Sequence, residues 1–347
     1  MNTNKVLTIV IPTYNMESYL ATCLNSLCIT SGFEYLEVLI VNDGSRDRSL
    51  KIAQGYEDRY PGVFRVIDKE NGNYGSCVNR GLSEAKGKYI KILDADDRFD
   101  TSAFEEYVLF LTSVDVDLVI TDFVMVTSTG NIKQKISYNI PQNHEIAFAE
   151  IPDDIPLWMH SVTYKTDNLR AINYYQTEGI SYTDQEWIYL PMTTVNKIYY
   201  KPIIIYKYLI GREGQSVDPK VFVKSIKHEE IGLKIMLEGF GGVPVSSVHR
   251  KYLLGRILAR INVIYSAYLY RYPEMLSLGD LISLDQYVRK YQDVYNASNN
   301  ISIHRRVSYH YIQQWRKNNR LVPDFYKILI SFVVIIGRVK KYICKIL

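Results

Sequence analysis

Asp94-Ala95-Asp96-Asp97 crowds three carboxylates at the end of the apolar run Tyr89-Ile90-Lys91-Ile92-Leu93. Side chains two apart on an extended chain point the same way, so Asp94 and Asp96 face one ligand together. Two carboxylates at a strand tip suit a hard divalent cation. Mg2+ or Mn2+ takes one or two carboxylates, several waters and phosphate oxygens, so the pair predicts a metal that arrives with a diphosphate. Taken alone, an acidic tetrapeptide after a strand also fits a turn or a helix N-cap.

The elements upstream favour the chemical reading. Val6-Leu7-Thr8-Ile9-Val10-Ile11 is a near-continuous apolar run, as expected of a strand buried on both faces, and it ends in Pro12-Thr13-Tyr14-Asn15. Ser18 then opens an amphipathic stretch with Tyr19, Leu20, Cys23, Leu24 and Leu27 at helical spacing. A second strand, Val38-Leu39-Ile40-Val41, runs into Asn42-Asp43-Gly44-Ser45 and a helix carrying Leu50, Ile52 and Ala53. A third, Phe64-Arg65-Val66-Ile67, leads to Asn71-Gly72-Asn73-Tyr74-Gly75 and a helix holding Cys77, Val78 and Leu82, closed by Gly87. Strand and helix alternate in units of roughly 25 to 30 residues, which argues a doubly wound parallel sheet. Ligands of such sheets bind beyond the carboxyl ends of the strands, so Thr13, Asp43 and Asp94/Asp96 are expected to line one crevice that admits a nucleotide and its metal.

In this order, Val-Ile-Pro-Thr-Tyr-Asn (10–15), Val-Asn-Asp-Gly-Ser (41–45), Glu-Asn-Gly (70–72) and Gly-Lys-Tyr-Ile-Lys-Ile-Leu-Asp-Ala-Asp-Asp (87–97) resemble the family 2 glycosyltransferases. The resemblance covers about 100 residues, and four linked motifs are far more specific than one. It implies a GT-A fold, a Rossmann-like doubly wound mixed sheet, and an inverting transfer from a nucleotide sugar, with UDP-sugar as the expected donor and Mn2+ or Mg2+ as cofactor. By the same resemblance Pro12, Thr13 and Tyr14 cradle the uridine, Asp43 accepts a hydrogen bond from the uracil, Asp94 lies by the ribose and the metal waters, and Asp96 ligates the metal. Asp97 is expected either at the metal or capping the helix that begins near Asp100 to Ala103. Asn71 and Asn79 match polar positions of the family that either meet the nucleotide or order loops.

An inverting transfer needs a base for the acceptor hydroxyl. The family keeps an aspartate for this downstream of the acidic cluster, usually in a Glu-Asp pair, and Tyr182-Thr183-Asp184-Gln185-Glu186-Trp187 matches that segment. Asp184 is the expected base and Glu186 the fallback, with an N-cap of a helix over 185–190 as the structural alternative for Asp184. Thr183 stands where glutamate is common. Trp158 to Lys165 resembles the acceptor side of the crevice, with His160 as a contact to acceptor or diphosphate, and Tyr208 to Ser216 resembles a loop over the nucleotide in which Arg212 and Gln215 are candidate diphosphate contacts.

Composition sets the outer limits. The chain has 347 residues, long enough for a core of some 200 residues and a second unit. Cys23, Cys28, Cys77 and Cys344 lack metal-ligand spacing and read as reduced residues of a cytosolic protein. The N-terminal apolar run is too short for a signal peptide and no run reaches the ~20 residues of a membrane span, so the chain is expected to work from the cytoplasmic side. The formal charge of +4 hides an imbalance: residues 301–347 hold ten Lys/Arg against one acid, Asp324. After Pro323, Phe325, Ile328, Leu329, Phe332, Ile335, Ile336, Val339, Ile343, Ile346 and Leu347 keep helical spacing beside Lys327, Arg338, Lys341 and Lys345. Such a helix suits either the interface of an anionic membrane or packing on the protein.

Three segments are therefore expected: a GT-A catalytic domain (1–218), a helical region (219–300) with apolar periodicity from Val221 to Ala267, a break at Gly239-Phe240-Gly241-Gly242-Val243-Pro244 and a further helix from Leu284 to Tyr295, and a basic amphipathic tail (301–347). The expected function is a metal-dependent inverting glycosyltransferase acting on a saccharide or lipid-linked acceptor in cell-surface polysaccharide synthesis, held peripherally at the inner face of the membrane, with no nucleic-acid partner. A sugar nucleotidyltransferase is the first alternative, although it would carry a Gly-rich basic loop after the first strand; a non-catalytic nucleotide-sugar-binding scaffold is the second.

Overall fold

The four apolar runs form the parallel part of one sheet in the computed structural model, which describes residues 5–212 and 219–332. They are β1 (Leu7–Thr13), β2 (Leu36–Asp43), β3 (Phe64–Lys69) and β4 (Tyr89–Ile92), with β2 and β4 flanking β1 and β3 outside β2. β1 pairs with β2 from Leu7↔Leu36 to Thr13↔Asn42, so the two strands reach the ligand-binding edge together. The connecting helices are α1 (Leu20–Asn25), α2 (Ser49–Arg59) and α3 (Asn73–Glu84).

Beyond β4 the sheet becomes mixed. A short β5 (Arg98–Phe99) and α4 (Thr101–Leu111) precede β6 (Leu118–Val126), β7 (Ile132–Ile136), β8 (Glu145–Ala147) and β9 (Val162–Lys165). After α5 (Thr166–Ala171) and α6 (Asp184–Trp187) comes the long β10 (Lys197–Leu209). The order is β3-β2-β1-β4-β9-β6-β10-β5, with β9 antiparallel to both of its neighbours and β10 parallel to β6. One core layer packs Leu20, Leu24, Phe104, Tyr107 and Val108 from α1 and α4 against Ile9, Val38, Phe99 and Tyr206.

Two local expectations are corrected. Gly87 does not close α3: the helix ends at Glu84 and Ala85 is already extended. Gly87 instead passes so close to the Leu7–Thr8 backbone that a Cβ would overlap it, and its N–H donates to Thr8 Oγ1 at 2.9 Å. The cap of α4 is Asp100, whose carboxylate accepts from Ala103 N at 3.2 Å, so Asp97 is not the capping residue and is available for another contact.

The chain divides into two compact units, Met1–Ser216 with Val245–Tyr252, and Val217–Pro244 with Leu253–Leu347. The helices of the later chain are α7 (Pro219–Lys224), α8 (Ile226–Gly241), α9 (Arg250–Ser266), α10 (Leu278–Val288), α11 (Gln292–Ser298) and α12 (Tyr311–Asn318). The single helix expected from Leu284 to Tyr295 is two, because the chain bends at Tyr291, which lets Leu284 and Val288 of α10 and Val294 of α11 all be buried. In this second unit Arg260 and Glu229 form a buried ion pair. Arg316, counted above with the basic tail, is buried as well: it pairs with Asp285 at 2.7 Å and donates to Tyr295 O, Ser298 Oγ and Asn299 Oδ1. Residues 324–332 are helical with Phe325, Ile328 and Phe332 exposed, and Lys327 pairs with Asp324 at 2.8 Å. The rest of the expected stripe, Ile335, Ile336, Arg338, Val339, Lys341, Ile343, Lys345, Ile346 and Leu347, lies outside the described residues. Among the described residues no helix is long and apolar enough to cross a membrane.

Lys91 sits fully buried in β4, and its Nζ donates to the carbonyls of His160 at 2.7 Å and Val162 at 3.1 Å. Burial lowers its pKa to about 7. Between that value and the ordinary lysine range the unfolded chain binds the extra proton, so stability should rise with pH across this window. Urea unfolding from pH 7 to 9 should show wild-type stability climbing relative to Lys91→Met; a difference independent of pH would contradict the assignment. Gly87→Ala should cost ~1–3 kcal/mol because backbone must move, whereas Gly232→Ala in α8, where a Cβ meets nothing within 4 Å, should gain up to ~1 kcal/mol; thermal unfolding of both variants checks the pair.

Candidate active site

The tips of β1, β2 and β4 open into a cavity of about 340 Å3 lined by Pro12, Thr13 and Tyr14, by Asp43, Asn71 and Tyr74, and by Asp94, Asp96, Tyr208 and Arg212. A larger groove of about 700 Å3 lies behind α3, but Arg80, Arg170 and Lys69 in it are already engaged with Glu84, Asp167 and Asp43, and Asp43, Asp94 and Asp96 do not line it. The first wall is pinned by a zipper between two turns. Asn15, with φ of +53°, accepts from Arg46 N at 2.8 Å, and Met16 N donates to Ser49 Oγ at 2.7 Å. This leaves Tyr14 exposed beside the buried Thr13, an aromatic face next to a polar floor. Asp43 is buried, and its Oδ1 accepts from Lys69 Nζ and from Gly72 N at 2.9 Å. Asn71 donates to Asp43 O at 2.9 Å and Asn79 to Gln176 O at 2.8 Å, so both asparagines order loops.

The three carboxylates of the acidic cluster have three different surroundings. Asp94 Oδ1 accepts from Tyr74 Oη at 2.7 Å, and burial first, then the charge of Asp96, push its pKa up. Asp96 pairs with Arg212 at 2.8 Å. Asp97 points away from the cavity into the sheet, accepting from Tyr206 Oη at 2.6 Å and Leu209 N at 2.6 Å, and burial holds its pKa well above the carboxylate range. Its role is to anchor β10 under the strand tip. A divalent cation fits Asp94 and Asp96: both line the cavity, burial and then the charge of Asp96 raise the pKa of Asp94, and the guanidinium of Arg212 rests on Asp96.

His160 lies beneath this floor. It is buried, stacked on Tyr208 at 4.5 Å and against Tyr206 at 4.8 Å, and one of its ring atoms lies within 4.8 Å of carboxylate oxygens of Asp94 and Asp97. Burial, with the charge of Lys91 added, lowers its pKa to about 3, so the ring is neutral. Gln215 lies outside the described residues.

Asp184 is the first residue of α6, and Thr183 is the residue before the helix, so Asp184 is not an N-cap. Burial raises the pKa of Asp94, Tyr74 and Tyr208, and the charge of Asp184 adds to the rise at each, which puts its carboxylate within electrostatic reach of the cavity. Glu186, the fallback base, is buried and accepts from Thr177 N at 2.8 Å and Thr177 Oγ1 at 3.1 Å, a loop contact. Tyr182, with φ of +64°, is a bulky side chain in the left-handed region two residues before Asp184.

Tyr74, Tyr206 and Tyr208 were not singled out for a role in the sequence. Tyr74 stands in the quoted loop 71–75 and was legible as a strand-tip residue; nothing local marks Tyr206, whose partner Asp97 is 109 positions away.

Residues 8–169 match the family described as glycosyl transferase family 2. The chain is 27% identical over 285 residues to the uncharacterized glycosyltransferase YibD of Escherichia coli (strain K12), covering 79% of this chain and 76% of YibD. It is 36% identical over 135 residues to the minor teichoic acid biosynthesis protein GgaB of Bacillus subtilis (strain 168), which is 37% of this chain and only 15% of GgaB. The fold is similar to that of S. aureus TarS 1-349, solved in complex with UDP-GlcNAc, with a TM-score of 0.65 at 18% identity over 84% of this chain and 81% of that chain. Residues 8–169, which carry the strand-tip motifs, match glycosyl transferase family 2, and the mixed sheet is of the GT-A type.

Proposed function

We propose that the protein transfers a sugar, with inversion, from a nucleotide diphosphate sugar to a hydroxyl of a saccharide or lipid-linked acceptor during synthesis of a cell-surface polysaccharide. The observation that carries this reading is one cavity at the ends of parallel strands joining a base-sized aromatic wall, Tyr14 and Asp43, to the paired acids Asp94 and Asp96. The biosynthetic role of GgaB supports the polysaccharide setting. Uridine is the expected base because the residues at 12–14 and Asp43 resemble a uridine cradle.

Asp184 takes the proton from the acceptor hydroxyl while its oxygen attacks the anomeric carbon, and the bond from that carbon to the diphosphate breaks with its electron pair leaving on the phosphate. Arg212, by the cavity, offers a fork of N–H donors to the departing diphosphate once it leaves Asp96. Mg2+ or Mn2+ held by Asp94 and Asp96 would supply further positive charge to the leaving group. Tyr74 holds Asp94 in place through its hydroxyl.

The basic, amphipathic end of the chain supports a peripheral position on an anionic membrane at its cytoplasmic face. Exposed Phe325, Ile328 and Phe332 give the described part of that helix an apolar side, while Arg316 is spent inside the protein.

A thermal-shift panel of UDP, GDP, CDP and dTDP, each with Mn2+, Mg2+ or EDTA, should show stabilisation by one nucleotide that requires metal and disappears in Asp96→Ala. Release of the nucleotide from UDP-N-acetylglucosamine, UDP-glucose, UDP-galactose and GDP-mannose then identifies the donor, and Asp184→Asn should lower turnover at least ~100-fold. Folded protein that responds to no nucleotide would overturn the reading in favour of a scaffold. The full chain should co-sediment with vesicles containing phosphatidylglycerol and be released by salt; equal binding to neutral phosphatidylcholine vesicles, or none to either, would remove the membrane assignment.

A further inference from the structure

The helix that carries Asp184 is one turn long, Asp184–Trp187, and a helix of four residues has no stability of its own. The direction of the Asp184 side chain must therefore come from whatever its neighbours are tied to. Thr183 is buried, and its Oγ1 accepts from Gln176 Nε2 at 2.7 Å instead of capping the helix. Gln176 is fully buried with each of its polar groups engaged. Tyr174 Oη donates to its Oε1 at 3.0 Å, Asn79 Oδ1 accepts from its N–H at 2.8 Å, and Asn79 Nδ2 donates to its carbonyl at 2.8 Å. One asparagine side chain on α3 thus pairs with the backbone of Gln176 as a neighbouring strand would.

Other contacts run in parallel. Gly179 N donates to Gly72 O at 3.1 Å, and Gly75 on α3 lies so near Thr177 O that a Cβ there would overlap it. Glu186, two residues after Asp184, holds Thr177, and Trp187 is buried edge-on to Tyr164 and Tyr174 at 5.4 and 5.5 Å. The segment 176–179 is therefore fixed to α3, and α6 is fixed to that segment. The start of α3 also carries Tyr74, which holds Asp94.

From this we infer that Asn79, Gln176 and Thr183 are positioning residues for Asp184: a hydrogen-bonded relay that aligns the base to the donor end of the cavity. The inference rests on Asp184 as the base, and it adds that Thr183 acts on turnover without touching donor or metal.

The test uses the full chain and the nucleotide sugar that the wild type hydrolyses in the donor panel. Thr183→Val keeps shape but deletes the acceptor for Gln176; it should lower kcat ~10-fold or more while donor KM and nucleotide Kd stay unchanged. Thr183→Ser should restore kcat to within about twofold, since the hydroxyl returns. In the Asp184→Asn background Thr183→Val should cause no further loss, as expected of residues acting through one group. Asn79→Ala, at a less buried site, should repeat the kcat loss if Thr183→Val proves poorly folded by circular dichroism. Wild-type kcat in folded Thr183→Val or Asn79→Ala, a fall in donor affinity equal to the fall in kcat, or losses that multiply with Asp184→Asn would overturn the relay. Full turnover in Asp184→Asn would remove the base assignment itself, and the relay with it.

Discussion

Three carboxyl groups have to be accommodated within four residues at the tip of a buried strand, and the rest of the catalytic half is arranged around that problem. Water is largely excluded there, so each carboxylate needs its own donor or counter-charge. The solutions differ. Asp94 takes a tyrosine hydroxyl, Asp96 a guanidinium, and Asp97 a tyrosine hydroxyl together with a backbone N–H. Asp94 and Asp96 line the cavity, while an oxygen of Asp97 lies within 4.8 Å of Asp94 and of the His160 ring, so Asp94, Asp97 and His160 form a second group able to hold a metal ion.

The Asp97 contacts have a consequence for the sheet. β10 is the longest strand, and its end carries Tyr206, Tyr208 and Leu209, then Arg212. By binding Tyr206 and Leu209, Asp97 sets the height of that end against the strand tip. Tyr206 Oη in turn accepts from Asp94 N at 3.2 Å, so the backbone of the acidic turn is fixed by the strand that the turn itself anchors. His160, neutral and stacked on Tyr208, fills the space beneath without adding charge. A protonated imidazole at that depth would compete with an incoming cation for the same carboxylates.

The sequence made the donor half of the site legible because its signals are local. Thr13, Asp43 and Asp94/Asp96 each follow an apolar run directly, and parallel strands bring such ends to one edge whatever the later chain does. The mixed half of the sheet was not legible from alternation, since β9 and β10 take their places through pairings with strands far away in sequence; the resemblance to a known fold supplied it. Asp97 shows the same limit within one tetrapeptide. Its spacing to Asp100 suggested a cap, but a cap is a contact three residues away and its actual partners are more than a hundred positions distant. Arg316 read as part of a basic tail because a charge count is blind to Asp285 across the helices. Lys91 was visible as a charge inside an apolar run, and what it does there depends on two carbonyls of the later segment around His160.

On the proposed roles, Asp94 and the loop before Asp184 are held by one helix from two directions. The first turn of α3 presents Tyr74 to Asp94, and the next presents Asn79 to the loop that precedes Asp184. A shift of α3 would move Asp94 and Asp184, the proposed metal ligand and the proposed base, together, preserving their separation better than if each hung from its own loop. Two reacting groups that must face opposite sides of one anomeric carbon tolerate common displacement far better than relative displacement. That asymmetry accounts for the hydrogen bonds that knit residues 174–186 together and tie them to Asn79 of α3, since the stretch has little regular structure of its own to keep Asp184 in place.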